Sequence, residues 1–160
     1  MDGRDESALE RLDRQWGELL QELRVSQTGV QLLTAFLLSL PFQSRFQTIT
    51  HSQRVLYLTT VALSLAATAL LLAPVSIHRR VFGRHERGEL VRVANVLAQA
   101  GLVVLSLALA AVATLIFDVT EGQTVGVTVG VCTFLALAML WFVLPLFFPR
   151  LLRIRRRDSQ

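Results

Sequence analysis

The chain has 160 residues, with sixteen arginines and no lysine set against twelve acids, for a net charge of +4. It is 52% hydrophobic and only 18% charged, and its mean hydropathy of +0.51 is more than an ordinary soluble domain of this size carries. Disordered, all-β and soluble globular readings are excluded. The basic balance gives no reason to expect nucleic acid as a partner, because the arginines flank apolar blocks.

All 28 charged residues fall within 64 positions, and the other 96 form four uncharged blocks. Before the first block, Glu6 to Leu23 read as an amphipathic helix. Leu9, Leu12, Trp16, Leu19, Leu20 and Leu23 recur at spacings of three and four and share one face. Acids and arginines lie between them, and Ser7 with Glu10 fits a capping box. The polar face is net acidic, whereas helices that bind anionic lipid carry basic faces. The Leu/Trp stripe is therefore expected to dock on the inner ends of a bundle or on a partner protein.

The uncharged blocks are Val25–Ser44, Val55–Ile77, Val93–Phe117 and Gly122–Pro149. A spanning helix needs roughly 20 mostly apolar residues to cross about 30 Å of hydrocarbon, so each block is long enough. The expected fold is all-α: an integral membrane four-helix bundle with an amino-terminal amphipathic cytoplasmic helix. Its parts are residues 1–24 (the amphipathic helix), 25–149 (spans near 25–44, 55–77, 93–117 and 122–148) and 150–160 (a basic tail). No secretory signal is expected, since the first block follows an acidic segment rather than a short basic start. Pro74 and Pro149 are expected at the carboxy ends of their spans, with Pro41 and Pro145 slightly inside.

Counting arginines sets an orientation. With both termini on one side, that side holds fourteen of the sixteen. Arg-rich loops resist translocation, so both termini are expected in the cytoplasm and the protein in the cytoplasmic membrane of a bacterium.

The polar residues inside the blocks are amides, hydroxyls and glycines. Gln27, Gln31 and Thr34 share a face of the first span. Asn95, Gln99 and Ser106 continue a stripe from Arg92 in the third. Either these stripes hold the bundle together through interhelical hydrogen bonds, or they line a polar cavity. Gly122, Gly126 and Gly130 form a repeated G-x-x-x-G, a spacing that lets helix backbones approach closely. Packing against another span of the same chain is the expected use, and a homo-oligomer face is the alternative.

Reactive constellations are few. Ion-coupled carriers keep an ionisable residue within the membrane, and the four blocks contain no Asp, Glu, Lys, Arg or His. Asp118 and Glu121 come closest, in a short outer loop, and Asp118 is the candidate interfacial carboxylate. His51, His78 and His85 lie on opposite sides of the membrane and cannot share a metal. Cys132 is a lone thiol within the fourth block. Nucleophile-elbow, metalloprotease and phosphate-loop motifs do not occur in the sequence. Neither an enzyme, nor a metal, nor any other cofactor is expected.

Several runs resemble a known family. They are Glu18-Leu19-Leu20-Gln21-Glu22-Leu23-Arg24-Val25, Gln27-Thr28-Gly29-Val30-Gln31 and Phe36-Leu37-Leu38-Ser39-Leu40-Pro41-Phe42-Gln43, followed by Ala73-Pro74, His78-Arg79 and Leu90-Val91-Arg92-Val93-Ala94-Asn95. Over roughly residues 16–148 the chain resembles a family of uncharacterised bacterial membrane proteins. The resemblance implies a four-span domain of unknown function, some members of which carry the name sodium/proton antiporter, and it implies no catalytic or binding residues. The expected function is a non-enzymatic membrane scaffold or accessory subunit, with the lipid bilayer and another membrane protein or a homo-oligomer as partners. The alternative is a small cation/proton transporter.

Overall fold

The computed structural model describes residues 8–81 and 87–145; within residues 8–13, 15–16, 19–20, 22–23, 77–81 and 87–91 it describes the backbone alone. Four long helices follow one another: α1 (Ala8–Ser39), α2 (His51–Val81), α3 (Arg87–Glu121) and α4 (Gln123–Ala138). No strand occurs among the described residues. Each helix, with the turns that continue α1 to Phe42 and α4 to Val143, provides a stretch long and apolar enough to cross a membrane: Arg24–Phe42, His51–Ser76, Arg92–Glu121 and Gln123–Val143.

The sequence explains where the helices stop. The segment 8–23 and the first span form one continuous helix of 32 residues, α1. It ends at Ser39 because Leu40 precedes Pro41, and the proline ring disfavours helical geometry one residue before it. A short 3-10 turn, Leu40–Phe42, takes over there. A second, Ser44–Thr48, leads towards α2. Thr50 then opens α2 with a reciprocal cap. Its backbone N–H donates to Gln53 Oε1 at 3.0 Å, and the Gln53 N–H donates to Thr50 Oγ1 at 3.3 Å. Two of the orphan amide groups at the helix start are satisfied in this way.

Pro74 does not end α2. The helix continues through it to Val81. Pro74 has no N–H to give to the Leu70 carbonyl, and its ring loosens the ladder beside it. One residue on, the Leu71 carbonyl accepts a hydrogen bond from Gln27 Nε2 at 2.8 Å. The disturbed stretch of α2 is thus supported from α1. At the other end of the chain Pro145 acts differently. The last turns of α4 widen into a π-turn over Met139–Val143, with the Leu144 N–H donating to the Met139 carbonyl. A wider turn moves the Trp141 carbonyl away from the proline ring that would otherwise strike it.

α3 runs unbroken through Glu121, so residues 118–121 are its last turn rather than a loop. Only Gly122 separates it from α4. Gly122 has φ 96° and ψ 166°, a region that side-chain-bearing residues essentially do not enter. Its N–H donates to the Asp118 carbonyl at 3.1 Å, and its own carbonyl accepts from the Gly126 N–H at 3.0 Å. The chain therefore reverses on a single residue.

Contacts divide the chain into two compact units: Met1–Gln43 with Ala62–Leu105, and Ser44–Val61 with Ser106–Gln160. In the first, Val30 and Leu37 of α1, Ala67 and Leu71 of α2, and Ala94, Ala98 and Leu105 of α3 are buried. Gly101 abuts the Leu71 side chain there. In the second, Tyr57, Thr60, Ala108, Ala110 and Leu115 are buried, and Phe46 meets Tyr57 edge-on at 4.9 Å. The buried sets are rich in small side chains. Large ones such as Leu32, Leu58, Leu135 and Met139 point outward, each more than half exposed. That arrangement suits a lipid solvent, which covers Leu as readily as protein does and leaves close backbone approach to hold helices together.

Candidate functional site

The polar residues singled out from the sequence divide into inward and outward sets. Thr34 is buried on α1, and its hydroxyl donates to the Val30 carbonyl at 2.8 Å. Thr60, Thr68 and Thr114 do the same to Leu56, Ser64 and Ala110 at 2.7, 2.9 and 2.9 Å. Each hydroxyl thereby spends its proton on the preceding turn of its own helix, the usual solution for threonine where water is scarce. Ser64 and Ser106 are buried as well. Gln27 is half-buried and reaches α2 through its bond to Leu71.

Gln31, Asn95 and Gln99 have the opposite placement: all three are exposed. The stripe from Arg92 to Ser106 thus begins on the outer surface of α3 and ends in its interior. On α1, Val30, Thr34 and Leu37 define the buried face. Gln31 lies about 100° around the helix from Val30, at 100° per residue, and falls beyond its edge.

The glycine repeat has two uses. Gly122 makes the turn. Gly126 and Gly130 are buried against α3. A Cβ on Gly126 would stand 2.7 Å from both the Asp118 backbone nitrogen and the Thr114 carbonyl oxygen. One on Gly130 would strike Thr114 Oγ1. This is backbone-to-backbone contact between consecutive helices.

Asp118 is half-buried in the last turn of α3. Its Cβ faces Gly126 in the first turn of α4, where unpaired backbone N–H groups carry partial positive charge. Among the described residues no group of three or more His, Cys, Asp and Glu side chains is placed to hold a metal ion. Cys132 is a free thiol on the outer surface of α4. The side chains of Leu9, Leu12, Trp16, Leu19, Leu20, Leu23 and His78, together with His85, Pro149 and the basic tail 150–160, lie outside the described residues, although the backbone at positions 9–23 and at 78 is helical.

Residues 5–145 match the profile of a family of unknown function, DUF6328. The chain belongs to DUF6328. The match covers both termini of the four-helix region and meets the family resemblance expected from the sequence. Neither a curated protein nor a solved structure matches the chain.

In this DUF6328 chain two contacts went unread in the sequence. Thr50-x-x-Gln53 carries the capping pattern in plain sight, but the uncharged-block count places the start of α2 four residues later. The Gln27–Leu71 bond has a subtler signal: a proline inside a span loosens the backbone ladder beside it, and a glutamine on a neighbouring span can donate to a carbonyl there.

Proposed function

We propose that the chain is a non-enzymatic scaffold or accessory subunit of the bacterial cytoplasmic membrane, with both termini on the cytoplasmic side. One observation carries the reading. The polar side chains described within the spans are engaged inside the chain, Thr34, Thr60, Thr68 and Thr114 by their own helices and Gln27 by α2, or face outward, as Gln31, Asn95 and Gln99 do. Inward hydroxyls already bonded to backbone carbonyls leave few groups to replace the hydration shell of a passing ion. Outward amides suit recognition of a neighbour. The orientation rests on the arginine distribution, fourteen of sixteen falling on the side of the termini. The acidic segment preceding Arg24 extends α1 by 16 residues, or about 24 Å, beyond the span, and presents a helix for cytoplasmic contacts.

The rival assignment, a small cation/proton antiporter, would work through Asp118 or through Gln31, Asn95 and Gln99. Purified chain in dye-loaded liposomes, given a sodium pulse, separates the two. The scaffold reading expects no proton flux above empty liposomes. It also expects specific neighbours, captured by crosslinking in native membranes, to be lost when residues 1–23 are removed. Sodium-driven flux abolished by Asp118→Asn or Gln31→Leu in folded protein would overturn it.

A further inference from the structure

The four spans differ in a way that lipid alone does not explain. The α1 span has a mean hydropathy of 1.3, against 2.1, 2.6 and 2.2 for the other three, yet only 17% of its apolar stretch is buried within the chain. The α4 span is covered even less, at 11%, but its strongly apolar surface suits hydrocarbon. α1 is the least apolar span and is also poorly covered. Its exposed polar side chains lie on one side. Arg24, Thr28, Gln31, Ala35 and Ser39 follow one another at spacings of four, three, four and four, and all five are exposed. They lie on the flank away from Val30, Thr34 and Leu37.

Two of the polar groups on this flank are satisfied within α1. Thr28 Oγ1 donates to the Arg24 carbonyl at 3.0 Å, and Ser39 Oγ donates to the Phe36 carbonyl at 2.7 Å. Gln31 has no such bond. Seven residues from Arg24, it sits about 10 Å into the hydrocarbon, where an amide without partners is costly. The outward amides of α3 are shallower. Gln27 and Gly101 both meet Leu71, so they lie at about the same depth. Gln99 then falls near the level of Arg24, and Asn95 falls beyond it. Gln31 lies about 6 Å deeper than Gln27.

We propose that a second copy of this chain covers this face, the two α1 helices crossing as a parallel pair about a two-fold axis along the membrane normal. Such an axis sets each residue opposite its own counterpart at the same depth. A carboxamide is self-complementary, because its Nε2 donates and its Oε1 accepts. Gln31 of each copy satisfies the other, and Thr28, Ala35 and Ser39 are small enough for the backbones to approach. The Gly126–Gly130 ridge is not available for this purpose, since α3 of the same chain already occupies it.

The test uses the full chain labelled at one site and reconstituted in liposomes across a range of protein-to-lipid ratios, with energy transfer reporting association. Wild type is expected to dimerise as the ratio rises. Gln31→Leu should weaken association about 3- to 30-fold, Gln31→Asn should retain most of it, and Gln99→Leu should leave it unchanged. In a Cys132→Ser background, Ala35→Cys should form an interchain disulfide on mild oxidation, and Leu58→Cys on α2 should not. Helical circular dichroism of each variant confirms folding. Wild type that stays monomeric at every ratio would overturn the proposal. So would Gln31→Leu associating like wild type, or crosslinking of Ala35→Cys in native membranes only to a chain of different mass.

Discussion

The contact between α3 and α4 predicts that two alanine substitutions on the same ridge will behave differently. At Gly126 an added Cβ meets the Asp118 nitrogen and the Thr114 carbonyl oxygen, both at 2.7 Å, and Asp118 Cβ at 2.8 Å. Ordinary contact begins near 3.4 Å, so the helices must part locally by about 0.7 Å. Two of the three atoms are backbone and have no rotamer to adopt. Gly126→Ala should therefore cost about 3 kcal/mol, the upper end of overpacking penalties. At Gly130 the nearest atom is the Thr114 hydroxyl, which is bonded to the Ala110 carbonyl at 2.9 Å. That side chain can turn away or be removed. Gly130→Ala should cost about 1–2 kcal/mol, and adding Thr114→Ala should recover much of the loss, a coupling of about 1 kcal/mol. The same second substitution should do nothing for Gly126→Ala, whose obstacle is main chain. Unfolding of the purified chain by sodium dodecyl sulfate in mild detergent, followed by tryptophan fluorescence, measures all six proteins, Thr114→Ala alone included. Wild-type stability for Gly126→Ala, or its rescue by Thr114→Ala, would refute the reasoning.

Three further substitutions test other joints, all by the same unfolding assay. Gln27→Leu removes the donor to the Leu71 carbonyl beside Pro74 and should cost about 0.6–1.7 kcal/mol, whereas Gln31→Leu should leave the stability of the single chain unchanged. Gly122→Ala meets open space but forces a Cβ onto φ 96°; a loss of about 1–3 kcal/mol is expected from backbone strain alone. Thr50→Ala deletes half of the reciprocal cap on α2 and should cost about 1 kcal/mol, with faster amide exchange at Gln53 as the local signature.

The four helices were legible because the bilayer imposes a length, and an uncharged block of that length has few other uses. What length could not place was the turns. Asp118 and Glu121 read as loop because charge usually marks the water side, but α3 carries both in its last turn and reverses on Gly122 alone. Pro74 read as a terminator because a proline removes a hydrogen bond. That rule holds for an isolated helix, and here α1 supplies a donor to the neighbouring carbonyl. The polar stripes were visible as spacings, but spacing alone gives a face and not what lies against it. Gln27 and Gln31 are one turn apart, and the 40° between them decides that one binds α2 while the other looks outward.

The one-residue turn at Gly122 also constrains how the protein enters a membrane. Helices joined by a long loop can be inserted one at a time, each held until the next is made. Here no slack exists: in the proposed orientation, the first turn of α4 crosses together with the end of α3. In that orientation the pair enters as a closed hairpin whose tip carries Asp118 and Glu121 and no base. Lengthening that tip with a flexible insert would uncouple the two insertion events, leaving α4 free to stall or to enter in register with something other than α3.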